Sequence, residues 1–173
     1  TAAAQRRFFG IRAPMTAPRF LMPGEYFFGP LQDPVATLLG SCVAVTLWHP
    51  RCRLLAVSHF VVPRSASDQD DTRSGEAVFA RLQRDMVSHR TAPEEYRKGL
   101  YGGGTCLQPG RRNSLQIGLM NIAFAREQFA LLGWRVDDEQ LGGLGYRRLT
   151  VDGRDGRLSC QSFTTANLLE GTA

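Results

Sequence analysis

Long apolar runs are absent from this sequence of 173 residues. No stretch approaches the ~18 consecutive apolar residues that a helix needs to cross a membrane, so we expect no membrane insertion and a cytoplasmic protein. Acidic residues are absent before Glu25, whereas four arginines precede it: Arg6, Arg7, Arg12 and Arg19. Most of the formal net charge of +5 therefore comes from this first segment. The rest of the chain is nearly neutral, which argues against a nucleic-acid partner.

Closely spaced cysteines and a phosphate-binding signature are also missing. The four cysteines stand at positions 42, 52, 106 and 160, with no Cys-x-x-Cys spacing. In the cytoplasm such thiols are expected to stay reduced, so we predict neither disulfides nor a zinc knuckle. The triplet Gly102-Gly103-Gly104 is not followed by Gly-Lys-Ser/Thr, the continuation that a phosphate loop needs. We expect these glycines to permit a close backbone approach near the functional site, for instance to a substrate.

The composition is typical of one globular domain. Hydrophobic residues make up 43% of the chain and aromatic residues 9%, which fits a sizeable core at this length. We predict a single domain over residues 20–164. A mobile basic extension at 1–19 is expected before it, and a loose tail at 165–173 after it.

The hydrophobic periodicity predicts an α+β fold with two main helices and mostly antiparallel or mixed strands. Apolar spacings of three and four residues indicate helices at 75–88 and 117–132. The residues expected to face inward on the second helix are Leu119, Ile122, Ala123, Phe129 and Leu132. Strands are predicted at 42–47, 54–62, 134–138, 146–151 and 158–163.

A cysteine and a histidine fall near the open end of the first predicted hairpin. Cys42 opens the first strand, and His59 lies in the second. If the hairpin is centred between Pro50 and Arg51, Cys42 stands directly opposite His59, with Cβ atoms about 5 Å apart on one face. An imidazole at that distance can take the thiol proton, which a cysteine with a pKa of about 8.5 otherwise keeps at neutral pH. The pair is a candidate nucleophile with its base.

Two other interpretations compete with this one. A cysteine on a strand is more often an inert small apolar residue, and a histidine between apolar residues is more often part of the core. The symmetric set of Cys42, His49, Cys52 and His59 suggests zinc, but His49 and Cys52 would lie at the turn, ~23 Å from the other two. Zinc–ligand bonds are only ~2.0–2.3 Å long, so one ion cannot bind all four. We predict no metal and no cofactor.

Several segments along the chain form a series. In order, they are residues 20–27 and 37–45, His59-Phe60 with Pro63, Arg73-Ser74-Gly75-Glu76, Gly102-Gly103-Gly104, Ile117-Gly118 with Asn121, and Gly142-Gly143 with Arg147. This series resembles the CheD family, the chemoreceptor glutamine deamidases of bacterial chemotaxis. The resemblance extends over about residues 20–160. Its specific part is the block Gly40-Ser41-Cys42 with a histidine at this spacing.

The resemblance implies a cysteine hydrolase that converts glutamine side chains of methyl-accepting chemotaxis receptors to glutamate and releases ammonia. It implies Cys42 as nucleophile, His59 as general base and a threonine upstream of the cysteine as third member. We assign the third role to Thr37. Another form of the family has this threonine six residues before the cysteine, where this chain has Ala36. The resemblance also implies two sheets layered between helices.

An alternative function is that of a chemotaxis adaptor, with weak or no catalysis. Such a protein would bind receptors or a CheC-like phosphatase, and a phosphatase of that kind is an expected partner of the enzyme as well. Retention of Cys42 and His59 favours the enzyme, whereas the offset of Thr37 favours the adaptor. A thiol redox protein is a third interpretation, but no resolving cysteine stands at a suitable spacing.

Overall fold

The structure is a computed structural model that describes residues 17–66, 68–106 and 113–164. Its strands and helices, in chain order, are β1 (Arg19–Leu21), β2 (Tyr26–Pro30), β3 (Val35–Leu39), β4 (Val43–His49), β5 (Leu54–Ser58), α1 (Gly75–Ser88), β6 (Arg97–Gly102), α2 (Ser114–Leu131), β7 (Asp138–Leu141), β8 (Tyr146–Val151) and β9 (Leu158–Phe163). A short 3₁₀ helix, Pro93–Glu95, precedes β6. The predicted extension lies almost entirely outside the described residues, and the predicted tail lies wholly outside them. The domain boundaries stay predictions.

The strands form two sheets. One has five strands in the order β2-β5-β4-β6-β7, and the other has four in the order β1-β3-β8-β9. Most neighbours are antiparallel, but β1 runs parallel to β3 and β6 runs parallel to β7. The predicted α+β class with mixed sheets is therefore confirmed.

The alternation of side chains along β4 explains how the layers stack. Val43, Val45 and Leu47 belong to a core cluster that includes apolar residues of both helices. Ala44 and Trp48 point the other way, into a cluster shared with the four-stranded sheet. Both described helices thus pack on the same side of the five-stranded sheet. The expected arrangement of two sheets between helices is wrong for the described part of the chain.

Helix α1 has the bounds that its periodicity predicts. The hydroxyl of Ser74, its N-cap, accepts a hydrogen bond from the amide of Ala77 at 3.2 Å, which satisfies one of the free donors of the first turn. Val78, Leu82 and Met86 form the buried stripe. A cap followed by a strictly spaced stripe is the reason that this helix was predictable.

Helix α2 begins three residues earlier than predicted, and part of its predicted inward face is wrong. The side chain of Leu119 is 56% exposed, and Ala123 is exposed as well. Gly118, Asn121 and Ala125 are buried instead. Apolar residues lie on both sides of this helix, so their spacing alone does not identify the face that packs.

Two predicted strand bounds are also wrong. The strand expected at 134–138 is instead β7, which begins at Asp138. Trp134 packs edge-on against Phe129 in the core, with ring centroids 5.6 Å apart. The second strand of the first hairpin ends at Ser58 rather than at Val62. In both places aromatic or β-branched residues, which are typical of strands, belong to segments without regular secondary structure.

The register of the β4–β5 hairpin differs from the prediction by two residues. His49 pairs with Leu54, so residues 50–53 form a four-residue turn. A proline cannot enter the two-residue turns with positive φ that tight hairpins prefer, and the longer turn has Arg53 at φ 52° instead. A bridge between Val43 and Phe60 continues this register. Because the shift is two residues, every side chain keeps its face, and Cys42 becomes a diagonal rather than a direct neighbour of His59.

Gly102 lies where β6 passes closest to the segment that carries Cys42. Its φ is +110°, and a Cβ built there would lie 2.2 Å from the carbonyl oxygen of Cys42. The predicted role of the glycine triplet, a close backbone approach, is therefore confirmed. Gly133 also has a positive φ, +64°, but a Cβ there would have no neighbour within 4 Å.

These two glycines give a matched pair of stability predictions. We expect Gly133→Ala to lower the free energy of unfolding by about 1–2 kcal/mol, the cost of a left-handed non-glycine residue. Gly102→Ala should cost about 3 kcal/mol or more, because a steric clash is added to the backbone strain. Urea denaturation followed by circular dichroism measures both. Equal losses for the two variants would contradict the close approach at Gly102.

Candidate active site

A hydrogen bond between the two sheets holds the ring of His59. Thr37 lies in β3 of the four-stranded sheet, and its Oγ1 is 2.7 Å from Nδ1 of His59, which directly follows β5. Both residues are buried, with 0% and 1% exposure. The backbone of His59 is fixed as well, because its amide donates to the carbonyl of Glu25 and its carbonyl accepts from the amide of Gly24. The predicted contact of Thr37 with His59 is thus confirmed.

A second bond of the same hydroxyl determines where the histidine proton lies. Thr37 Oγ1 donates to the carbonyl oxygen of Leu21 at 2.8 Å, and a hydroxyl has only one hydrogen to give. His59 Nδ1 must therefore be the donor in the contact with Thr37. In the neutral ring this leaves the lone pair on Nε2, an atom that is buried and has no hydrogen-bond partner among the described residues. Nε2 is consequently available as a proton acceptor.

Burial makes the ring of His59 a weak base in its resting state. It lowers the pKa of His59 from 6.5 to about 4, because the charged form loses solvation, and the carboxylate of Glu25 offsets only part of this effect. At neutral pH the ring is uncharged. It can accept a proton only transiently, when negative charge develops beside it.

The loop that carries Cys42 is held at three consecutive carbonyls. The amide of Gly104 donates to the carbonyl of Gly40 at 2.7 Å, and the amide of Gly103 donates to that of Cys42 at 2.8 Å. Between them, the carbonyl of Ser41 accepts from Nδ2 of Asn121 at 3.0 Å. These bonds fix the backbone immediately before β4. The backbone of Cys42 is therefore held in a defined position.

Cys42 is partly exposed, and its side chain packs at the edge of the core cluster between the sheets. The ring of His59 points into the same space, since it meets Thr37 of the opposite sheet. The shared face that the hairpin prediction required is supported by these contacts. Direct contact of the sulfur with Nε2 of His59 stays a prediction.

The other half of the symmetric Cys/His set is remote from this site. His49 and Cys52 lie at the β4–β5 turn, where the amide of Cys52 donates to Nδ1 of His49 at 3.2 Å. Within residues 17–66, 68–106 and 113–164, no group of three or more His, Cys, Asp or Glu side chains has a metal-binding geometry. His49 also faces the carboxylate of Glu95, with 3.6 Å between Nε2 and Oε2. This second pair therefore has a contact of its own at the turn.

Asn121 is the residue at this site to which the sequence analysis gave no role. It lies on α2, and its Nδ2 also donates to the carbonyl of Val61 at 2.9 Å. A signal was present in the sequence, because Asn121 is a polar residue in an otherwise apolar stretch of helix. A buried amide at such a position needs partners, and here they are backbone groups beside Cys42 and His59.

Comparison with known proteins identifies the family. A family model described as CheD chemotactic sensory transduction matches residues 61–162. A protein of Dechloromonas aromatica named probable chemoreceptor glutamine deamidase CheD 3 is 35% identical over 136 residues, which are 77% of this chain and 80% of that protein. The chain belongs to the CheD family. The resemblance inferred from its motifs is thereby confirmed.

Other relatives in the CheD family align over a similar share of the chain. Probable chemoreceptor glutamine deamidase CheD 2 of Albidiferax ferrireducens is 34% identical, over 79% of this chain and 82% of that protein. Probable chemoreceptor glutamine deamidase CheD 1 of Chromobacterium violaceum is 30% identical, over 86% of this chain and 79% of its own length. Neither helix in the described part of the chain is long and apolar enough to span a membrane.

The low pKa of His59 predicts a specific pH dependence of stability. The imidazole of His59 has a pKa of 6.5 in the unfolded chain and of about 4 in the folded chain. Its contribution to the free energy of unfolding is therefore complete above pH 6.5 and is lost as the pH falls towards 4. The loss between these two pH values corresponds to about 3 kcal/mol. Urea denaturation at several pH values should show this loss, and His59→Gln should lack that part of it.

The ring itself is observable in the same pH range. In protein with ¹³C-labelled histidine, the NMR signal of His59, assigned by its disappearance in His59→Gln, should titrate below pH 5. A midpoint at or above 6.5 would show that the ring is not desolvated as described.

Proposed function

We propose that this chain is a protein-glutamine deamidase that converts selected glutamine side chains of methyl-accepting chemotaxis receptors to glutamate. The names of its relatives support this substrate. The observation that carries the proposal is the hydrogen bond that Nδ1 of His59 donates to Thr37, which leaves the lone pair of a buried imidazole on Nε2. Cys42 is the proposed nucleophile, His59 the general base, and Thr37 the residue that orients the imidazole.

In the first half of the proposed reaction, the sulfur of Cys42 attacks the carbon of the substrate carboxamide. Nε2 of His59 takes the thiol proton as the new C–S bond forms, because a neutral thiol is a poor nucleophile. His59 then returns that proton to the departing nitrogen, the C–N bond breaks, and ammonia leaves. The enzyme now holds the substrate as a thioester of Cys42.

In the second half, water replaces ammonia. Nε2 of His59 takes a proton from a water molecule that attacks the thioester carbon, and the C–S bond breaks. The proton returns to the sulfur of Cys42, and the substrate leaves as a glutamate side chain. The bond from Nδ1 to Thr37 serves both halves, since it keeps Nε2 as the only proton-accepting atom of the ring.

The proposed location is the cytoplasm. Cys42, Cys52, Cys106 and Cys160 are reduced thiols, as is usual for proteins of that compartment. No bound cofactor or metal is needed, because every proton and electron pair in the two halves comes from Cys42, His59, water or the substrate. A CheC-like phosphatase is a further proposed partner.

Replacement of the nucleophile separates the enzyme from an adaptor. Cys42→Ser changes little volume but replaces the thiol by a far less acidic hydroxyl. We expect it to fold normally, to bind receptor fragments and to lose ammonia release by at least ~10³-fold. Cys52→Ser is the matched control, because Cys52 is exposed at the distant β4–β5 turn, and it should keep wild-type activity.

Two results would contradict this proposal. Unchanged deamidation by Cys42→Ser would exclude Cys42 as nucleophile. No deamidation by the wild type, with receptor binding intact, would favour the adaptor. Mass spectrometry of the receptor fragment detects the change from glutamine to glutamate in either case.

The role of Thr37 is tested by two conservative replacements, valine and serine. Thr37→Val keeps the shape but removes the acceptor for Nδ1–H, so the ring loses its fixed tautomer and kcat should fall by about 10²-fold or more. Thr37→Ser keeps the hydroxyl and should retain most of the activity. If the valine variant is as active as the serine variant, another residue orients His59.

A further inference from the structure

Asn121 joins the two halves of the candidate active site through one side chain. Its Nδ2 donates to the carbonyl of Ser41, directly before Cys42, and to the carbonyl of Val61, two residues after His59. Both acceptors are backbone oxygens, so the amide nitrogen and not its oxygen must face them. The side chain is fully buried. It therefore bridges the loop of the proposed nucleophile and the segment of the proposed base from a third element, α2.

The surrounding contacts leave Asn121 little freedom. One turn earlier on the same helix, a Cβ at Gly118 would lie 2.6 Å from the carbonyl oxygen of Gly103. Gly103 in turn donates to the carbonyl of Cys42. Helix α2 thus contacts this region at two positions: Gly118 packs against Gly103, and Asn121 bonds to Ser41. A longer side chain at position 121 would have to displace that loop.

The oxygen of the same amide is left without a bond. Asn121 Oδ1 is buried, and no donor among the described residues reaches it. A buried polar atom without a partner is unfavourable for folding, and such atoms are concentrated at functional sites. Packing alone would be served better by an apolar residue on this apolar helix. The two hydrogen bonds that Nδ2 donates offset the cost of leaving Oδ1 without a partner.

We propose that Asn121 is a positioning residue that sets the alignment of Cys42 with His59. Its two hydrogen bonds end on backbone carbonyls, and it acts by fixing the backbone on each side of the pair. The hypothesis rests on the proposed function for its effect on deamidation. Its effect on the thiol itself is independent of any receptor.

Asn121→Asp is the sharpest test, because it keeps the shape and replaces the amide by a carboxyl group. Between two carbonyls, a carboxyl group offers one O–H donor when protonated and none when ionised, so at least one of the two hydrogen bonds is lost. We expect kcat for deamidation to fall by about 10²-fold with little change in KM, as for a small misplacement of reacting groups. Gln116→Glu is the matched control. It makes the same chemical change at an exposed position of α2 and should leave activity unchanged.

The rate of alkylation of Cys42 distinguishes a positioning role from a merely structural one, because a loss of stability alone would not change its dependence on pH. The rate of its reaction with iodoacetamide is followed across pH by mass spectrometry of the peptide that contains Cys42. In the wild type, His59 should accelerate the reaction at neutral pH. In Asn121→Asp that acceleration should be lost, so that its rate–pH profile matches that of His59→Gln. In the double variant the two changes should not add, because both disable the same pair.

Each outcome is decisive for one of the two proposals. A wild-type alkylation profile in Asn121→Asp, with only its stability lowered, would overturn the positioning role and leave the proposed function intact. Deamidation absent from the wild type would overturn the function, while the alkylation profile would still test the positioning. If Asn121→Asp does not fold, Asn121→Ser replaces it. Its single hydroxyl can donate to only one of the two carbonyls, so this variant should lose part of the kcat and part of the acceleration of alkylation by His59.

Discussion

The single hydrogen of the Thr37 hydroxyl is the constraint on which the candidate site depends. Because that hydrogen is given to the carbonyl of Leu21, the oxygen can only accept from His59, and the tautomer of the imidazole follows. The three residues come from three segments, β1, β3 and the end of β5, that lie in two different sheets. The proposed base therefore exists only when the sheets are stacked. The apolar cluster between them, which includes Leu39, Leu149 and Val57, therefore supports the proposed base as well as the fold.

Burial of the imidazole has a chemical consequence for the proposed mechanism. A ring whose pKa is lowered to about 4 does not remain charged at neutral pH, so it cannot serve as a permanent cation beside a thiolate. In the proposed mechanism, Nε2 of His59 therefore takes the thiol proton only as the new C–S bond forms. A carboxamide is a poor electrophile, so its precise placement must supply much of the rate.

The sequence predicted those parts of the fold whose signals are local. The bounds of α1 follow from its N-cap, Ser74, and from its buried stripe. The strands β8 and β9 follow from the turn between them, where Asp152 is followed by glycines. The short strands β1 and β7 join their sheets by parallel pairing with distant segments, and nothing within three or four residues indicates such a partner. The buried face of α2 was missed because it is defined by Gly118 and Asn121, which periodicity counts as interruptions. Thr37 was found by resemblance alone, since its partner comes from the other sheet.

Enclosed space by itself does not mark a functional site in this fold. A cavity of about 430 Å³ lies between the sheets at the opposite end of β4, lined in part by Trp48, Arg97 and Tyr101. Its polar groups serve one another: the hydroxyl of Tyr101 donates to Asp138 at 2.7 Å, and Arg97 donates to the carbonyl of Gly156 at 2.7 Å. At the Cys42 end, by contrast, Nε2 of His59 keeps an unused lone pair although it is buried. Folding alone gains nothing from that lone pair, whereas a proton-transfer reaction requires it. This difference distinguishes the candidate active site from the cavity at the other end of β4.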